Sequence, residues 1–343
     1  MSDDLAFTIG GVRTEVRFVE RITPLDPVSV TVFDTVTCRL FGGDFPAGRS
    51  VVLQPGERSK RWRSVEAILG RAAVLGLGRD GRLLGVGGGV VCDVTGLAAS
   101  LYMRGCGLAL CPTTLLAMVD ASLGGKTGID FRGWKNLVGT FHPASLLLVC
   151  PAAVATLPDR EFRSGIAEAI KTAVIGDPSL LDLLEARREA VLTRDPVLLA
   201  EVVQRCLRVK GGICAADPRE EGRRMLLNLG HTFGHALESW TGFRSWTHGE
   251  AVAWGMGRAA ALGLALGATE PAFARRLAAL LAAYGFRLEI PAGLRELGPA
   301  LRLDKKRRSG TLQFVVPRKA GDVTVLEAAD GDIAGALGAR GMG

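Results

Sequence analysis

The 343-residue sequence lacks the features that define several large classes of protein. Every apolar stretch is interrupted by glycines or charges before it reaches the ~18 residues of a membrane span. The first eleven residues are acidic and have no apolar core, so we expect no signal peptide and a cytoplasmic location. The seven scattered cysteines form no C-x-x-C pair, which favours buried thiols over disulfides.

Long basic runs are also missing, although the net charge is +7. The arginines are spread along the chain, and the densest basic patch covers only residues 305–308. A nucleic-acid-binding tail normally has a longer block of like charges. We therefore expect neither nucleic acid nor a membrane as partner, and we attribute the positive charge to a site for an anionic small molecule.

Three polar residue types are scarce, with only eight lysines, four histidines and two asparagines in the chain. Arginine replaces lysine easily on a surface but cannot act as a compact or deprotonatable cation. The lysines that remain should therefore mark positions where chemistry requires them. Seven of the eight lysines and both asparagines are among the residues that are given roles below.

The alternation of strand-like and helical patterns predicts an α/β first half with a parallel, Rossmann-like sheet. Strands are predicted at residues 28–33, 50–53, 83–86 and 108–111, with helices at 62–75 and from about 90 to 103. From about Pro158 the pattern becomes helical, over 160–175, 179–192, 196–215, 226–240, 249–266 and 271–284. A late hairpin is predicted from 311–316 and 322–327.

These patterns predict two domains. Residues 1–157 would form a nucleotide-binding α/β domain, and residues 158–343 a mostly α-helical metal- and substrate-binding domain.

Two glycine-rich segments point to phosphate binding. Gly87-Gly88-Gly89 lies between a strand and a helix, where backbone amides can approach a phosphate, although a ligand-free tight turn has the same pattern. Gly124-Gly125-Lys126-Thr127 resembles part of a P-loop, but Asp120 stands where the first glycine of that motif would be. A Walker-type nucleotide triphosphatase is therefore not expected.

A group of histidines and a glutamate points to a metal. Three of the four histidines, His231, His235 and His248, lie within eighteen residues, and Glu168 precedes Lys171 by three positions on a predicted helix. Two histidines and a glutamate form a zinc-type ligand set with an open position for a substrate oxygen. The i,i+4 spacing alone nominates His231 and His235 as the two histidine ligands.

Ten motifs, in the same order along the chain, resemble the 3-dehydroquinate synthase family. They are Gly87–Asp93, Tyr102–Gly105, Pro112–Leu116, Val119–Thr127, Lys135-Asn136, Thr156–Glu161, Ala167–Lys171, Leu227–His235, His248–Ala251 and Asp304–Lys306. The resemblance implies an NAD-dependent and zinc- or cobalt-dependent lyase that converts 3-deoxy-D-arabino-heptulosonate 7-phosphate to 3-dehydroquinate and phosphate. NAD is regenerated within each turnover of such an enzyme.

The resemblance also assigns roles to individual residues. It implies that Glu168, His231 and His248 bind the metal, and that His235 and Glu220 transfer protons. The implied substrate-binding residues are Asp120, Lys126, Asn136, Lys171, Lys210, Arg224, Asn228, Lys305 and Lys306, with Arg104 supplied by the neighbouring subunit of a homodimer. The implied NAD-binding residues are Asp34, Glu57, Lys60, Gly88, Gly89, Val90, Val91, Asp93, Thr113, Thr114, Asp120, Lys126, Lys135, Ala153, Val154, Ala155 and Thr156.

Spacing and resemblance nominate different histidines as the partner of His231 in binding the metal, His235 by spacing and His248 by resemblance. We expect His248 to be the ligand, because a metal that binds a diol needs an unligated imidazole nearby to take the hydroxyl proton. Two departures from the family pattern stand near the assigned residues: Cys92 replaces a usual glycine, and Asp130 replaces a usual asparagine and adds a negative charge.

Other functions share parts of this pattern. Related cyclases make 2-epi-5-epi-valiolone or 2-deoxy-scyllo-inosose from substrates without a carboxylate, whereas aminodehydroquinate synthase has much the same residue set. A metal-dependent polyol dehydrogenase would release NADH, and a non-catalytic basic binding protein would leave the glutamate and histidine cluster unexplained.

Overall fold

The computed structural model describes residues 5–25, 29–242, 244–290, 292–305 and 312–338, and for residues 302–305 only the backbone. The chain forms two compact units. The first comprises Met1–Leu157 with Pro196–Arg219, and the second Pro158–Asp195 with Glu220–Gly343. Residues 196–219 were predicted to lie in the second domain. The helix that they contain, Pro196–Ala216, belongs with the first unit because Gly211 packs directly against the ring of Phe7.

The first unit contains a seven-stranded sheet in the order β1-β2-β9-β6-β5-β3-β4. Only the β1–β2 pair is antiparallel. The strands are β1 (Leu5–Ile9), β2 (Val12–Phe18), β3 (Val30–Asp34), β4 (Ser50–Leu53), β5 (Arg82–Gly87), β6 (Gly107–Pro112) and β9 (Leu146–Val149). A separate hairpin comprises β7 (Lys126–Phe131) and β8 (Trp134–Phe141). The continuous burial of β9 and most of β5 is typical of parallel strands covered on both faces.

The helices of this unit are α1 (Thr35–Phe41), α2 (Trp62–Val74), α3 (Gly89–Leu101) and α7 (Pro196–Ala216). The predicted parallel α/β architecture is confirmed. The sequence patterns did not predict strands β1, β2 and β9 or the β7–β8 hairpin. The short apolar runs of β1 and β9 cannot be assigned to strand or helix by periodicity alone.

The second unit is mainly helical. Its helices are α4 (Asp159–Gly176), α5 (Pro178–Ala186), α6 (Arg188–Leu192), α8 (His231–Trp240), α9 (His248–Ala265), α10 (Pro271–Ala283), α11 (Leu294–Lys305) and α12 (Asp330–Gly338). The predicted hairpin is present as β10 (Gln313–Lys319) and β11 (Asp322–Glu327), while Thr311 lies outside the described residues. Helices α4 and α9 are almost entirely buried and form the core of the unit.

Two predicted helices are interrupted. The predicted helix 179–192 is divided at Arg187 into α5 and α6. The predicted helix 226–240 begins only at His231, because Gly230 adopts a φ of 79° and the preceding residues form a 3₁₀ turn. A Cβ at Gly230 would lie 2.7 Å from the carbonyl oxygen of Val252 on α9. The break therefore lets α8 and α9 approach closely just before the first histidine.

The seven cysteines are free thiols and six of them are buried, which confirms the prediction of buried thiols in place of disulfides. No helix in the described part of the chain is long and apolar enough to span a bilayer.

Candidate functional site

Three residues of the second unit bring metal-ligating atoms together. Glu168 lies in α4, His231 is the first residue of α8, and His248 is the first residue of α9. The Glu168 Oε1 atom lies 3.7 Å from Nε2 of His231 and 3.2 Å from Nε2 of His248. Ligand atoms in a tetrahedral zinc site, with bonds of about 2.0–2.1 Å, are separated by roughly 3.3 Å. The spacing of these atoms therefore fits a divalent cation.

The hydrogen bonds around these residues leave the ligating atoms available. Nδ1 of His231 lies 3.2 Å from the carbonyl oxygen of Leu229, which favours the tautomer with its lone pair on Nε2. When His248 is neutral, Oε1 of buried Glu168 accepts no hydrogen bond among the described residues, and its Oε2 pairs with Nζ of Lys171 at 2.6 Å. A buried carboxylate oxygen without a donor is costly, and a metal ion would satisfy it.

The charges of the site differ from residue to residue. Burial would raise the pKa of Glu168, but the ammonium of Lys171 and the two histidines hold that pKa well below its usual range. Burial and then Lys171 lower the pKa of His231 to about 3, so its imidazole is neutral, as a metal ligand must be. Burial opposes protonation of His248, but Glu168 and Glu238 outweigh it and raise its pKa to about 10. A metal ion therefore competes with a proton at His248.

Three consecutive residues anchor the start of α9 to three successive turns of α4. The carboxylate of Glu250 accepts hydrogen bonds from the guanidinium of Arg160 at 2.7–3.2 Å. The backbone N–H of Gly249 donates to Oγ of Ser164 at 2.9 Å. His248 faces Glu168 one turn further along α4. Thr247 and Glu250 also form a reciprocal capping box around this turn. These contacts determine where the His248 imidazole lies.

The Arg160–Glu250 pair should contribute stability that depends on pH. Burial raises the pKa of Glu250, but Arg160 and Thr247 outweigh it and leave that pKa below its usual value. A lowered pKa stabilises the fold above the unfolded value of about 4.3, and this contribution is lost as the pH falls through the folded value. We expect Glu250→Gln to lower the Tm at pH 7, and the difference from wild type to shrink as the pH falls below the unfolded value of about 4.3 and to vanish once the pH is below the folded value.

Thermal melts of both proteins across this pH range provide the measurement. Glu201→Gln is the matched control, since Glu201 forms an exposed 3.4 Å pair with Arg205, and such pairs contribute about 0–1 kcal/mol. A Tm difference for Glu250→Gln that persists unchanged at pH 3.5 would show that the charge of Glu250 is unimportant.

His235 lies apart from the three candidate ligands. It is exposed, and its ring centroid is 5.4 Å from that of His231 and 6.1 Å from that of His248. It forms a second potential ligand group with Glu238 and His248, whose Nδ1 lies 3.6 Å from Oε2 of Glu238. Of these two groups of described residues, only the first contains the buried carboxylate oxygen discussed above. The geometry therefore favours Glu168, His231 and His248 as ligands and places the His235 imidazole outside that group.

The second unit also holds most of the other residues assigned to proton transfer or substrate binding. Lys171 and Arg224 are buried, and Lys171 pairs with Glu168. Asn228 donates from its amide to Oε1 of Glu220 at 2.9 Å. Lys305 ends α11, but its side chain and the whole of Lys306 lie outside the described residues.

The glycine turn of the first unit lies at the carboxyl end of the parallel strands. Gly87 ends β5, and α3 begins at Gly89 without a side-chain cap at its first turn. Its neighbour β6 ends at Pro112, so Thr113 and Thr114 lie beside the turn. A Cβ at Gly88 would lie 3.1 Å from Cγ2 of Thr114. Open backbone amides at this edge of a parallel sheet fit the pyrophosphate of a dinucleotide.

The other residues assigned to NAD binding follow the ends of neighbouring strands or lie near the turn. Lys60 is buried and pairs with Asp93 of α3 at 2.5 Å. Nζ of Lys135 lies 3.8 Å from Oε1 of Glu57.

Asp34 ends β3 and caps α1. Residues 153–156 lie in a 3₁₀ helix after β9, and Val90 and Val91 lie in the first turn of α3.

The first unit also holds several of the assigned substrate-binding residues. Nζ of Lys210, on α7, lies 2.6 Å from Oδ1 of Asp120, which belongs to a short π-helical turn. Lys126 and Asn136 lie on the β7–β8 hairpin. Arg104 is exposed and has a left-handed φ of 67°. Cys92 is buried in α3.

Several residues that shape the metal site were not singled out from the sequence. Arg160 lies within the Thr156–Glu161 motif but was given no role. Ser164 and Glu238 gave no local signal, because their partners Gly249 and His248 lie on a different helix. Thr247 and Glu250 did give a signal, since Thr-x-x-Glu before an apolar run is a capping box. That pattern would have placed His248 at the start of a helix anchored at its first turn.

Comparisons with known proteins show which family the chain belongs to. Two family models match the chain, the 3-dehydroquinate synthase N-terminal model over residues 50–164 and the C-terminal model over residues 165–307. A 3-dehydroquinate synthase of Koribacter versatilis is 42% identical over 273 residues, which cover 80% of this chain and 75% of the relative.

Two solved structures have the same fold. A 2-epi-5-epi-valiolone synthase from Streptomyces hygroscopicus subsp. jinggangensis, solved with NAD+ and Zn2+, is 30% identical with a TM-score of 0.85, covering 94% of this chain and 95% of the other. A 2-deoxy-scyllo-inosose synthase, solved with carbaglucose-6-phosphate, NAD+ and Co2+, is 23% identical with a TM-score of 0.86, covering 97% and 99%. The matches cover most of the chain, and the chain belongs to the 3-dehydroquinate synthase family.

Proposed function

We propose that this protein converts 3-deoxy-D-arabino-heptulosonate 7-phosphate to 3-dehydroquinate and phosphate, with NAD and one divalent cation, Zn2+ or Co2+, as cofactors. The observation that carries the proposal is the convergence of Glu168, His231 and His248 in a chain of the 3-dehydroquinate synthase family. The relatives named above support the same cofactors, since one was solved with NAD+ and Zn2+ and another with NAD+ and Co2+.

The residues of this chain fit that chemistry. A bound cation would supply a Lewis acid that lowers the pKa of a substrate hydroxyl, and bound NAD would supply a hydride acceptor for the carbon that carries this hydroxyl. Glu168, His231 and His248 would hold the cation, and the open amides after Gly87 would hold the NAD pyrophosphate. The exposed imidazole of His235, one helical turn after His231, would take the hydroxyl proton.

Cationic, amide and carboxylate side chains would hold the substrate's carboxylate, phosphate and hydroxyl groups. This role is proposed for Arg104, Asp120, Lys126, Asn136, Lys171, Lys210, Arg224, Asn228, Lys305 and Lys306, with Glu220 assisting as a base. We propose that residues 1–157 form the NAD-binding domain and that residues 158–343 supply the metal and most substrate contacts. Lys210, although it lies within residues 158–343, belongs to the first unit, together with Arg104, Asp120, Lys126 and Asn136.

One assay separates this function from its competitors. The purified protein is incubated with the heptulosonate phosphate and a trace of NAD, and both phosphate and NADH are measured. Many turnovers of phosphate release without net NADH support the proposal. Stoichiometric NADH would support a polyol dehydrogenase, and neither product would support a non-catalytic binding protein.

The second candidate is aminodehydroquinate synthase, because its substrate has the same carboxylate and phosphate groups. The same assay with an amino-substituted substrate distinguishes the two. A higher kcat/KM for the amino-substituted substrate would overturn the proposed substrate, and faster turnover of a carboxylate-free sugar phosphate would indicate one of the other cyclases.

NAD should stabilise the protein by binding only to the folded state. An NAD concentration of about 100 times the Kd raises the free energy of unfolding by about 2.7 kcal/mol. We expect a clear rise in Tm on addition of NAD and little change with free nicotinamide, which lacks the pyrophosphate. An unchanged Tm with saturating NAD would contradict the assignment of the glycine turn.

We propose that the protein is a cytoplasmic homodimer. Arg104 lies in an exposed turn with the apolar side chains of Leu101 and Met103, which are also exposed. Exposed apolar groups around a cation are suited to an interface. Light scattering at micromolar concentration should give twice the 36.2 kDa chain mass, and a monomer alone would refute the dimer.

A further inference from the structure

The hairpin formed by β7 and β8 contains a bulge that displays two of the residues assigned above. Ile129 pairs with Val138 and Phe131 pairs with Trp134, so the single residue Asp130 faces three residues of β8. The three are Lys135, Asn136 and Leu137. Bulges of this kind redirect side chains and occur frequently beside active sites.

The bulge has a conformation that requires support. Asn136 adopts a φ of 54°, in the left-handed region, which costs free energy for any residue other than glycine but least for asparagine and aspartate. Arg132 also has a positive φ, of 49°, but it lies in the turn that joins the two strands. Within the paired strands, the left-handed conformation therefore occurs only at Asn136, opposite Asp130, and the far end of the hairpin pairs regularly, with Oγ1 of Thr127 donating to the carbonyl oxygen of Thr140 at 3.0 Å.

Asp130 makes two contacts that hold this conformation. Its Oδ1 accepts a hydrogen bond from the backbone N–H of Asn136 at 2.9 Å. Its own N–H donates to the carbonyl oxygen of Lys60 at 2.8 Å. Since Lys60 pairs in turn with Asp93 on α3, a short series of contacts joins the bulge to the helix that follows the glycine turn.

We propose that Asp130 is a positioning residue that holds the bulge and thereby presents Asn136 to the substrate and Lys135 to NAD. The function of Asp130 is to accept a hydrogen bond, and its negative charge is not required. An asparagine at position 130 could accept the same bond through its own Oδ1. This inference rests on the proposed function for its catalytic consequence, but the structural role of Asp130 can be tested without substrate.

The test compares Asp130→Ala, which removes the acceptor, with Asp130→Asn, which keeps it. We expect Asp130→Ala to raise the KM for the heptulosonate phosphate at least tenfold, with a smaller change in kcat, and to accelerate amide hydrogen exchange in peptides covering 132–141. Asp130→Asn should restore both quantities to within about threefold of wild type. Thr140→Val is the matched control, because it removes a hairpin hydrogen bond away from the bulge, and it should leave KM unchanged.

Two results would overturn the proposal. Wild-type exchange rates in Asp130→Ala would show that the bulge does not depend on this contact. Equal impairment of Asp130→Asn and Asp130→Ala would show that the charge matters. Asn136→Gly tolerates the left-handed φ but lacks the side-chain amide. It therefore tests the role of Asn136 in substrate binding separately from the structural role of Asp130. If its KM is unchanged while Asp130→Ala still exchanges faster, the role of Asn136 in substrate binding fails and the structural role of Asp130 stands.

Discussion

Replacing His248 with alanine is expected to yield a folded protein without bound metal and without activity. His248 supplies the Nε2 atom nearest to Oε1 of Glu168, and His231 is the only other described histidine in that group. His235→Ala should instead retain the metal and lose about 10²–10⁴-fold in turnover, the usual effect of removing a general acid or base. Metal content of both purified variants, measured with kcat, tests the assignment.

The two variants form a matched pair, since each removes one imidazole from the same cluster. A metal-free His235→Ala protein together with a metal-loaded His248→Ala protein would reverse the assignment and favour the i,i+4 pair. Far-ultraviolet circular dichroism and a melt on each variant separate loss of a ligand from loss of the fold.

The second large effect is expected for Gly249→Ala, one residue beyond the ligand. A Cβ at position 249 would lie 2.1 Å from the carbonyl oxygen of Ser164 and 2.5 Å from its Cα. Both atoms belong to the backbone of α4, so no side-chain rotation can relieve the conflict, and α9 must move away from Glu168. We expect loss of metal and activity, with at least the 1–3 kcal/mol of destabilisation typical of overpacking.

Gly257→Ala provides the control for this effect. Gly257 lies in the buried part of the same helix, but a Cβ there would meet only Cδ2 of Leu288, at an ordinary 3.8 Å. Wild-type metal content is expected for Gly257→Ala and a metal-depleted protein for Gly249→Ala. Full metal content and an unchanged Tm in Gly249→Ala would show that the approach of α9 to α4 does not determine the site.

Much of the site could be anticipated because its residues are rare in this chain. Three of four histidines cluster in sequence, and the glycine turn lies between an apolar strand and a helix, so local patterns alone identified Glu168, His231 and Gly88 as candidates. Local spacing could not choose between His235 and His248. That choice depends on the direction in which α9 leaves the contact with α4, which is set by Arg160 and Ser164, more than eighty residues earlier.

The errors in the fold have a similar cause. The helix α7 carries the apolar pattern of any helix, and its position in the first unit depends on the fit of Gly211 against Phe7, some two hundred residues away. Helix α8 was predicted to begin at residue 226 because the apolar period continues through 226–229. The structure begins it at His231, since the close packing of α8 against α9 requires the left-handed turn at Gly230. Periodicity reports the buried face of a segment and carries no information about its neighbours.

The anchoring of α9 on α4 also limits the choice of cation. Three contacts hold the first turn of α9 against α4 and keep the His248 imidazole close to Glu168. Ca2+ takes six to eight oxygen ligands at 2.3–2.6 Å, and Mg2+ requires near-octahedral oxygen coordination. Two imidazole nitrogens and one carboxylate oxygen at this spacing disfavour both ions and suit cations such as Zn2+ and Co2+, which accept imidazole. We therefore expect selectivity against the abundant cellular cations to depend on helix packing as well as on the ligands themselves.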